Sequence, residues 1–333
     1  MITKPAPRPT PGDAAGIRPT LRLVSREASL DAGLAAVQAA HDALGIDASW
    51  SLEGGRGFTW RVGGLVQRVW SEAKRPGPDG VGARWRVLAE TEVVRDVAEP
   101  ALAAEMCNLL NGIGSMGALV ADPARRTIVH RAAAWVSETG SAGAGSAAPA
   151  SDPGAAARFA LAVTLQASEA ASLASLLAGS SRGEVARPLH PGFAARVGGS
   201  DPVLLDELIA AGRERSAWSD GCLLRARHAL ASESFGGALT ADAWSLSMPV
   251  PMLGGIATLL ALTADAHPVL GHGLHVRLHL SLAAAHEPTA EVAAELNRLE
   301  AGSAARADLY GAWVAAAGRL QHVAFYPNAA HTT

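Results

Sequence analysis

His275-Val276-Arg277-Leu278-His279-Leu280-Ser281-Leu282 alternates polar and apolar residues at every step. A period of two is the mark of a strand with one face on a core, so Val276, Leu278, Leu280 and Leu282 share the inward face and His275, Arg277, His279 and Ser281 the other. Stepping back 191 residues gives Arg84-Trp85-Arg86-Val87-Leu88-Ala89-Glu90-Thr91. There the inward set becomes Trp85, Val87, Ala89 and Thr91. A slip of one residue would exchange the faces, so agreement in parity means more than agreement in letters.

Other segments repeat in the same order. Gly63-Gly64-Leu65-Val66 answers to Gly254-Gly255-Ile256-Ala257, again 191 residues on. Ala103-Ala104-Glu105-Met106 answers to Ala293-Ala294-Glu295-Leu296 at 190, and Gly117-Ala118-Leu119-Val120 to Gly311-Ala312-Trp313-Val314 at 194. Trp50-Ser51-Leu52 answers to Trp244-Ser245-Leu246, also at 194. In an Ala-rich chain the Trp-Ser-Leu and Gly-Gly matches carry the most weight. The pattern predicts an internal duplication.

Outward from these anchors, each half reads as an α+β unit. Residues 30–44 form an amphipathic helix with Ser29 available as N-cap and Gly45 as stop. Strands follow over 48–53, 57–62, 65–72 and 83–92, broken by Gly-Gly and Pro-Gly signals. Pro100 opens a helix over 100–111, residues 116–121 and 126–136 make a hairpin around Asp122-Pro123, and 158–178 close the unit with a helix. The second half reads as helices over 201–215 and 221–233, strands over 240–247, 255–263 and 273–283, a helix over 289–300 and a hairpin of 309–316 with 319–326. The expected organisation is a disordered Pro-rich tail (1–25), a first domain (26–180) with a flexible insert (137–157), a linker (181–200) and a degenerate second domain (201–330). The expected fold class is therefore α+β: two tandem helix–antiparallel meander–helix–hairpin units, packed as a pseudo-dimer.

Composition narrows the function. A net charge of -3 gives no electrostatic case for nucleic acid or an anionic membrane. Residues 159–178 come nearest to a membrane span, but Gln166 and Glu169 argue against one. The N-terminus holds four prolines in its first eleven residues and no apolar core, so it does not read as a signal peptide. Cys107 and Cys222 match no metal or redox spacing, and the chain fits a reducing cytoplasm. The two lysines against many arginines suit a GC-rich bacterial genome.

No catalytic motif stands out. Gly112-Ile113-Gly114-Ser115-Met116-Gly117 is a literal G-x-G-x-x-G, but it closes a helix and leads into a strand. The negative end of the helix dipole would face a phosphate there, so the segment reads as a helix cap and turn. Glu90 and Glu92 share a strand face but read as solvated. His267, His272, His275 and His279 cluster in sequence; His275 and His279 stand about 13 Å apart on a regular strand, too far for one zinc. No cofactor is implied, and the chain reads as a non-enzyme.

Tryptophan is the residue type that does stand out. Five of the eight fall in the first sheet or its hairpin: Trp50, Trp60, Trp70, Trp85 and Trp135. Some must fill the core. A sheet whose second face also carries aromatics offers that face to a partner. Arg61, Arg68, Arg84 and Arg86 interleave with these rings and suit carboxylate or stacking contacts.

The run Gly57-Phe58-Thr59-Trp60, then Gly63-Gly64-Leu65-Val66-Gln67-Arg68-Val69-Trp70, resembles the N-terminal signature of bacterial peptide-binding chaperone-like proteins of the type III secretion chaperone and YbjN type. Leu109-Leu110-Asn111, Gly117 to Val120, Asp122-Pro123 and Thr127 to Arg131 resemble the helix-to-hairpin segment of that fold. In the second half the signature is reduced to Pro249 to Gly255, and no closing helix follows residue 326. The resemblance implies binding of a peptide or protein client; the interleaved aromatic and arginine residues place that binding on an aromatic sheet face or edge of the first domain, with Phe58, Trp60, Arg68, Trp70, Trp85 and Arg86 as the recognition residues. Two other readings stand beside it: a structural or signalling adaptor using the linkers, with an exposed apolar patch expected on the helix over 201–215, and an enzyme or metal protein at the histidines of 267–279.

Overall fold

In the computed structural model the described residues are 31–44, 51–62, 64–76, 82–139, 150–151, 153–186, 240–241, 245–251, 257–268, 271–280, 288–302 and 310–327. The Pro-rich tail, the linker beyond residue 186, the helices expected over 201–215 and 221–233, Cys222 and most of the expected insert lie outside them.

Among the described residues the protein is mixed α+β, with two antiparallel sheets and four helices. The first half runs α1 (Ala32–Leu44), β1 (Ser51–Gly54), β2 (Gly57–Val62), β3 (Leu65–Ser71), β4 (Arg75–Pro76), β5 (Ala83–Arg95), α2 (Pro100–Asn111), β6 (Ala118–Asp122), β7 (Thr127–Thr139), β8 (Ala150–Ser151), α3 (Pro153–Ser181) and β9 (Glu184–Val185). The second runs β10 (Thr240–Ala241), β11 (Ser245–Pro251), β12 (Ala257–His267), β13 (Gly271–Leu280), α4 (Ala290–Ala301), β14 (Ala312–Ala316) and β15 (Arg319–Pro327).

The main path of the first sheet is β1-β2-β3-β5-β7-β6, and the second sheet is ordered β10-β11-β12-β13-β15-β14. The two paths have the same connectivity. Each is a four-strand meander, a helix, and a hairpin whose second strand returns beside the last meander strand. Registers differ in detail. Gln67 faces Thr91 across β3–β5, and 191 residues on, Thr258 faces Leu280 rather than Leu282. The second ladder is shifted by two residues, an even number, so the faces read from the sequence are kept. The Trp-Ser-Leu match does not share a position in the sheets. Ser51 lies on the edge strand β1, whereas Ser245 lies on β11, between β10 and β12.

Local chemistry sets several ends. Asp31 caps α1: Oδ1 accepts from the Leu34 N–H at 2.9 Å, and the same carboxylate pairs with Arg56; Ser29, the expected cap, lies outside the described residues. Gly33 lets α1 sit down on the sheet, since a Cβ there would lie 2.7 Å from Trp85 Cβ. α3 begins at Pro153, five residues before the helix expected from residue 158, and β7 extends to Thr139, into the expected insert, where β8 pairs with it. The sequence pair Asp152-Pro153 is itself a helix start signal, an N-cap residue type followed by proline.

Packing explains the faces. Trp85, Val87 and Ala89 of β5 join Phe58, Trp60 and Val69 under α1 and α3. The helices meet these large side chains with small ones: Ala36 and Ala40 of α1, and Ala160, Ala162 and Ala167 of α3. The opposite face of β5 is also covered. Leu88 packs with Val129 and Ala133 of β7 and with Ala301 and Ala312 from the second half. The halves touch reciprocally: α2 meets β14, α4 meets β6, the two helices meet each other, and β6 meets β14.

Candidate functional site

The face of the first sheet turned away from α1 and α3 is built in rows across β3, β5 and β7. Antiparallel register places Arg68 opposite Glu90 and Glu90 opposite Arg131. The next row holds Trp70, Leu88 and Ala133, and beyond it Arg86 stands opposite Trp135. Directly opposed pairs are the contact unit of a sheet, so each row is a physical cluster.

The second half sits on this face. The side chain of Arg86 is 0 % exposed. Its Nη1 donates to the Gly302 carbonyl and its Nη2 to the Glu300 carbonyl, at the C-terminal end of α4. Arg131 Nη1 donates to the Ala301 carbonyl at 2.7 Å, while Nη2 holds Glu90. A helix end exposes carbonyls without helical partners and carries partial negative charge, so two guanidinium groups satisfy both needs. Burial and the Arg86 charge push Arg131 down to about 10, which leaves it cationic at neutral pH.

The residues expected from the sequence divide between the two faces. Phe58, Trp60 and Trp85 are 5, 4 and 2 % exposed and lie in the core beneath α1 and α3. They support the sheet and do not reach a partner. Arg68 and Trp70 lie on the opposite face, with the Arg68 guanidinium 5.8 Å from the Trp70 ring centre. Trp135 is on the same face, with Arg84 4.0 Å and Arg75 5.7 Å from its ring centre. Arg86 is on that face too, committed to the end of α4. Arg131, which sequence reasoning missed, completes the pair; the signal was its place opposite Glu90.

A buried polar seam ties α3 to the sheet. Trp60 Nε1 donates to Gln67 Oε1, and Gln67 Nε2 donates to Gln166 Oε1 and to the Val163 carbonyl. Gln166 Nε2 donates to the His130 carbonyl at 2.6 Å. His130 Nε2 lies 3.2 Å from Ser115 Oγ and 3.7 Å from Glu169 Oε2. Burial pushes His130 down to about 4 and Glu169 up to about 8, so at neutral pH the imidazole and the carboxyl are both uncharged and do not form an ion pair. The trio has the residue types of a nucleophilic triad but not its geometry. The acid lies against the same ring nitrogen as the serine, and Nδ1 faces the Gln166 carbonyl. The seam also touches the second half, since the Ser115 carbonyl accepts from the Phe325 N–H at 3.2 Å.

The G-x-G-x-x-G segment forms a helix cap and turn. The Gly112 N–H bonds back to the Asn108 and Leu109 carbonyls, and Gly114 takes φ +91°. His267 and His275 flank the Phe325 ring at 5.0 and 4.8 Å. Burial and the neighbouring His275 push His267 down to about 4, against a Gly114 hydrogen bond that favours the charged ring. Among the described residues no three His, Cys, Asp or Glu side chains converge on a metal position. Cys107 is buried, which pushes its thiol up to about 12 and makes it a poor nucleophile. The described stretch Arg158–Ser181 is long and apolar enough to cross a membrane, and most of it is buried within the protein.

Comparison of the chain with family models, with curated proteins and with solved structures returns no match.

Proposed function

We propose that this is a non-enzymatic, chaperone-like protein that binds peptide or protein segments on the outer face of the first sheet. The observation that carries the reading is the clamp of Arg86 and Arg131 on the main-chain carbonyls of Glu300, Ala301 and Gly302. That face already recognises polypeptide, namely the end of the chain's own α4. Arg68 and Trp70 on one side and Trp135 on the other extend it beyond the residues that α4 covers. Main-chain contacts supply affinity with little sequence demand, and aromatic rings add apolar area at low entropic cost. Phe58, Trp60 and Trp85 serve as the rigid floor beneath.

The likeness to secretion chaperones in the sequence agrees with the order helix, meander, helix, hairpin, closing helix in the first half. On this reading the second half is a built-in pseudo-dimer partner. The reciprocal contacts of α2 and α4 with each other's hairpins support that, as does the clasp of Asn108 on Ala315 across the halves.

The experiment is an array of random peptides probed with the purified full chain. Binding to a subset, weakened at least about tenfold by a combined Arg68→Ala and Trp70→Ala change, supports the reading, since losing one aromatic anchor and one charged contact is worth at least that much. No binding to any peptide contradicts it.

A further inference from the structure

At one end of the outer face, two cations share one ring. In the β4–β5 register Arg75 stands directly opposite Arg84. Like charges in directly opposed positions repel and weaken a strand pair. Both guanidinium groups lie over Trp135, which holds them in place, while Lys74 Nζ, 5.6 Å from the Trp85 ring, lies on the other face of the sheet. Glu72 bridges Arg75 at 3.0 Å. Among the described residues neither Lys74 nor Arg84 has a carboxylate within 4.0 Å, and the buried Nε of Arg84 has no acceptor. Two guanidinium groups against one carboxylate leave the group with an excess of one positive charge, in a chain whose net charge is -3.

We propose that Arg75 and Arg84, arrayed on Trp135, form the docking point for an acidic polypeptide segment. This rests on the reading that the outer face binds peptide, and it names the chemistry of the partner. A carboxylate laid between Arg75 and Arg84 removes their repulsion. It gives the Arg84 Nε its missing acceptor and takes two parallel N–H donors, as the planar guanidinium favours. Trp135 fixes the fork in advance, so less side-chain freedom is lost on binding. The group adjoins Arg86, which is opposite Trp135 and already grips main-chain carbonyls. A segment running along the face would therefore meet main-chain donors in the middle and carboxylate receptors at the end. A polyanionic nucleic acid fits less well, because two cations on an acidic chain neutralise few phosphates.

The test is fluorescence anisotropy of the full chain with three labelled probes: a decapeptide alternating Glu and Ala, its Gln counterpart, and a single-stranded DNA oligonucleotide of equal charge. The Glu peptide is expected to bind at least about tenfold more tightly than the Gln peptide, one charge-assisted pair's worth. Its affinity should fall as salt rises. The combined Arg75→Ala and Arg84→Ala change should remove the preference. Arg84→Lys, which keeps the charge but loses the fork, should remove much of it. The double change relieves a repulsion but also removes the Glu72 pair and two ring contacts, so retained binding of the Gln peptide is the control that separates loss of the docking point from loss of fold. Equal affinity for Glu and Gln peptides, indifference to the double change, or tighter binding of the oligonucleotide overturns the acidic docking point while leaving the peptide-binding reading intact. Failure of every peptide to bind overturns both.

Discussion

Arg86 of β5, without exposed surface, donates to the carbonyl oxygen of Gly302, 216 residues later in the chain. A buried cation is costly unless its donors are satisfied, and here the acceptors come from the other half of the molecule. Truncation to alanine leaves the Glu300 and Gly302 carbonyls without these partners. Arg86→Ala is expected to lower stability by about 3 kcal/mol, the range for a broken buried charged contact. Arg86→Lys should recover only part, since one ammonium does not reproduce a fork over two carbonyls. The midpoint of urea unfolding measures both.

Asn108 uses both ends of its amide on one residue of the opposite half: Nδ2 donates to the Ala315 carbonyl at 2.9 Å and Oδ1 accepts from the Ala315 N–H at 2.7 Å. Asn108→Asp keeps the acceptor and loses the donor. It is expected to cost about 1–2 kcal/mol, and Asn108→Ala somewhat more, since both main-chain groups lose their partner. Amide hydrogen exchange at Ala315 should quicken in both variants relative to the parent chain.

Acid should weaken the fold through its buried imidazoles. His130, His267 and His322 are each pushed down to about 4, chiefly by burial. Between the ordinary value near 6.5 and 4 the unfolded chain binds more protons, so stability falls as pH drops through that window. Melting temperature measured from pH 7 to pH 4 should decline, and His322→Gln should flatten part of the decline.

Glu169 works in the opposite direction. Its carboxyl is pushed up to about 8 by burial, partly offset by the Ser115 hydrogen bond. The folded chain then holds a proton that the unfolded chain releases above about 4.5, so this residue weakens the fold as pH rises toward 8. Glu169→Gln is expected to be more stable than the parent at pH 8, with the difference shrinking toward pH 5. An unchanged difference across that range would count against a protonated Glu169.

Strand period, helix stripes and the order of elements were legible because they are local. The parity of 84–91 against 275–282 was legible too, and it survived a two-residue shift between the ladders. Which aromatic residues face a partner was harder to read. Phe58, Trp60 and Trp85 fill the space that the alanines of α3 leave open, so large rings on the sheet and small residues on the helix had to be read together. The role of Arg86 was not legible at all, because its acceptors are main-chain carbonyls with no sequence signature. The seam through Gln67, Gln166 and His130 was hidden for a related reason: an isolated glutamine on an apolar helix reads as an exposed residue until its partner strand is known.

Hydrogen–deuterium exchange of the full chain, with and without a peptide selected from the array, tests the central claim most directly. The account predicts slowed exchange in β3, around Arg68 and Trp70, and in β7, around Trp135, with β12 and β13 unchanged. Protection confined to β11–β13, or none in β3 and β7 when the peptide saturates the chain, would contradict it.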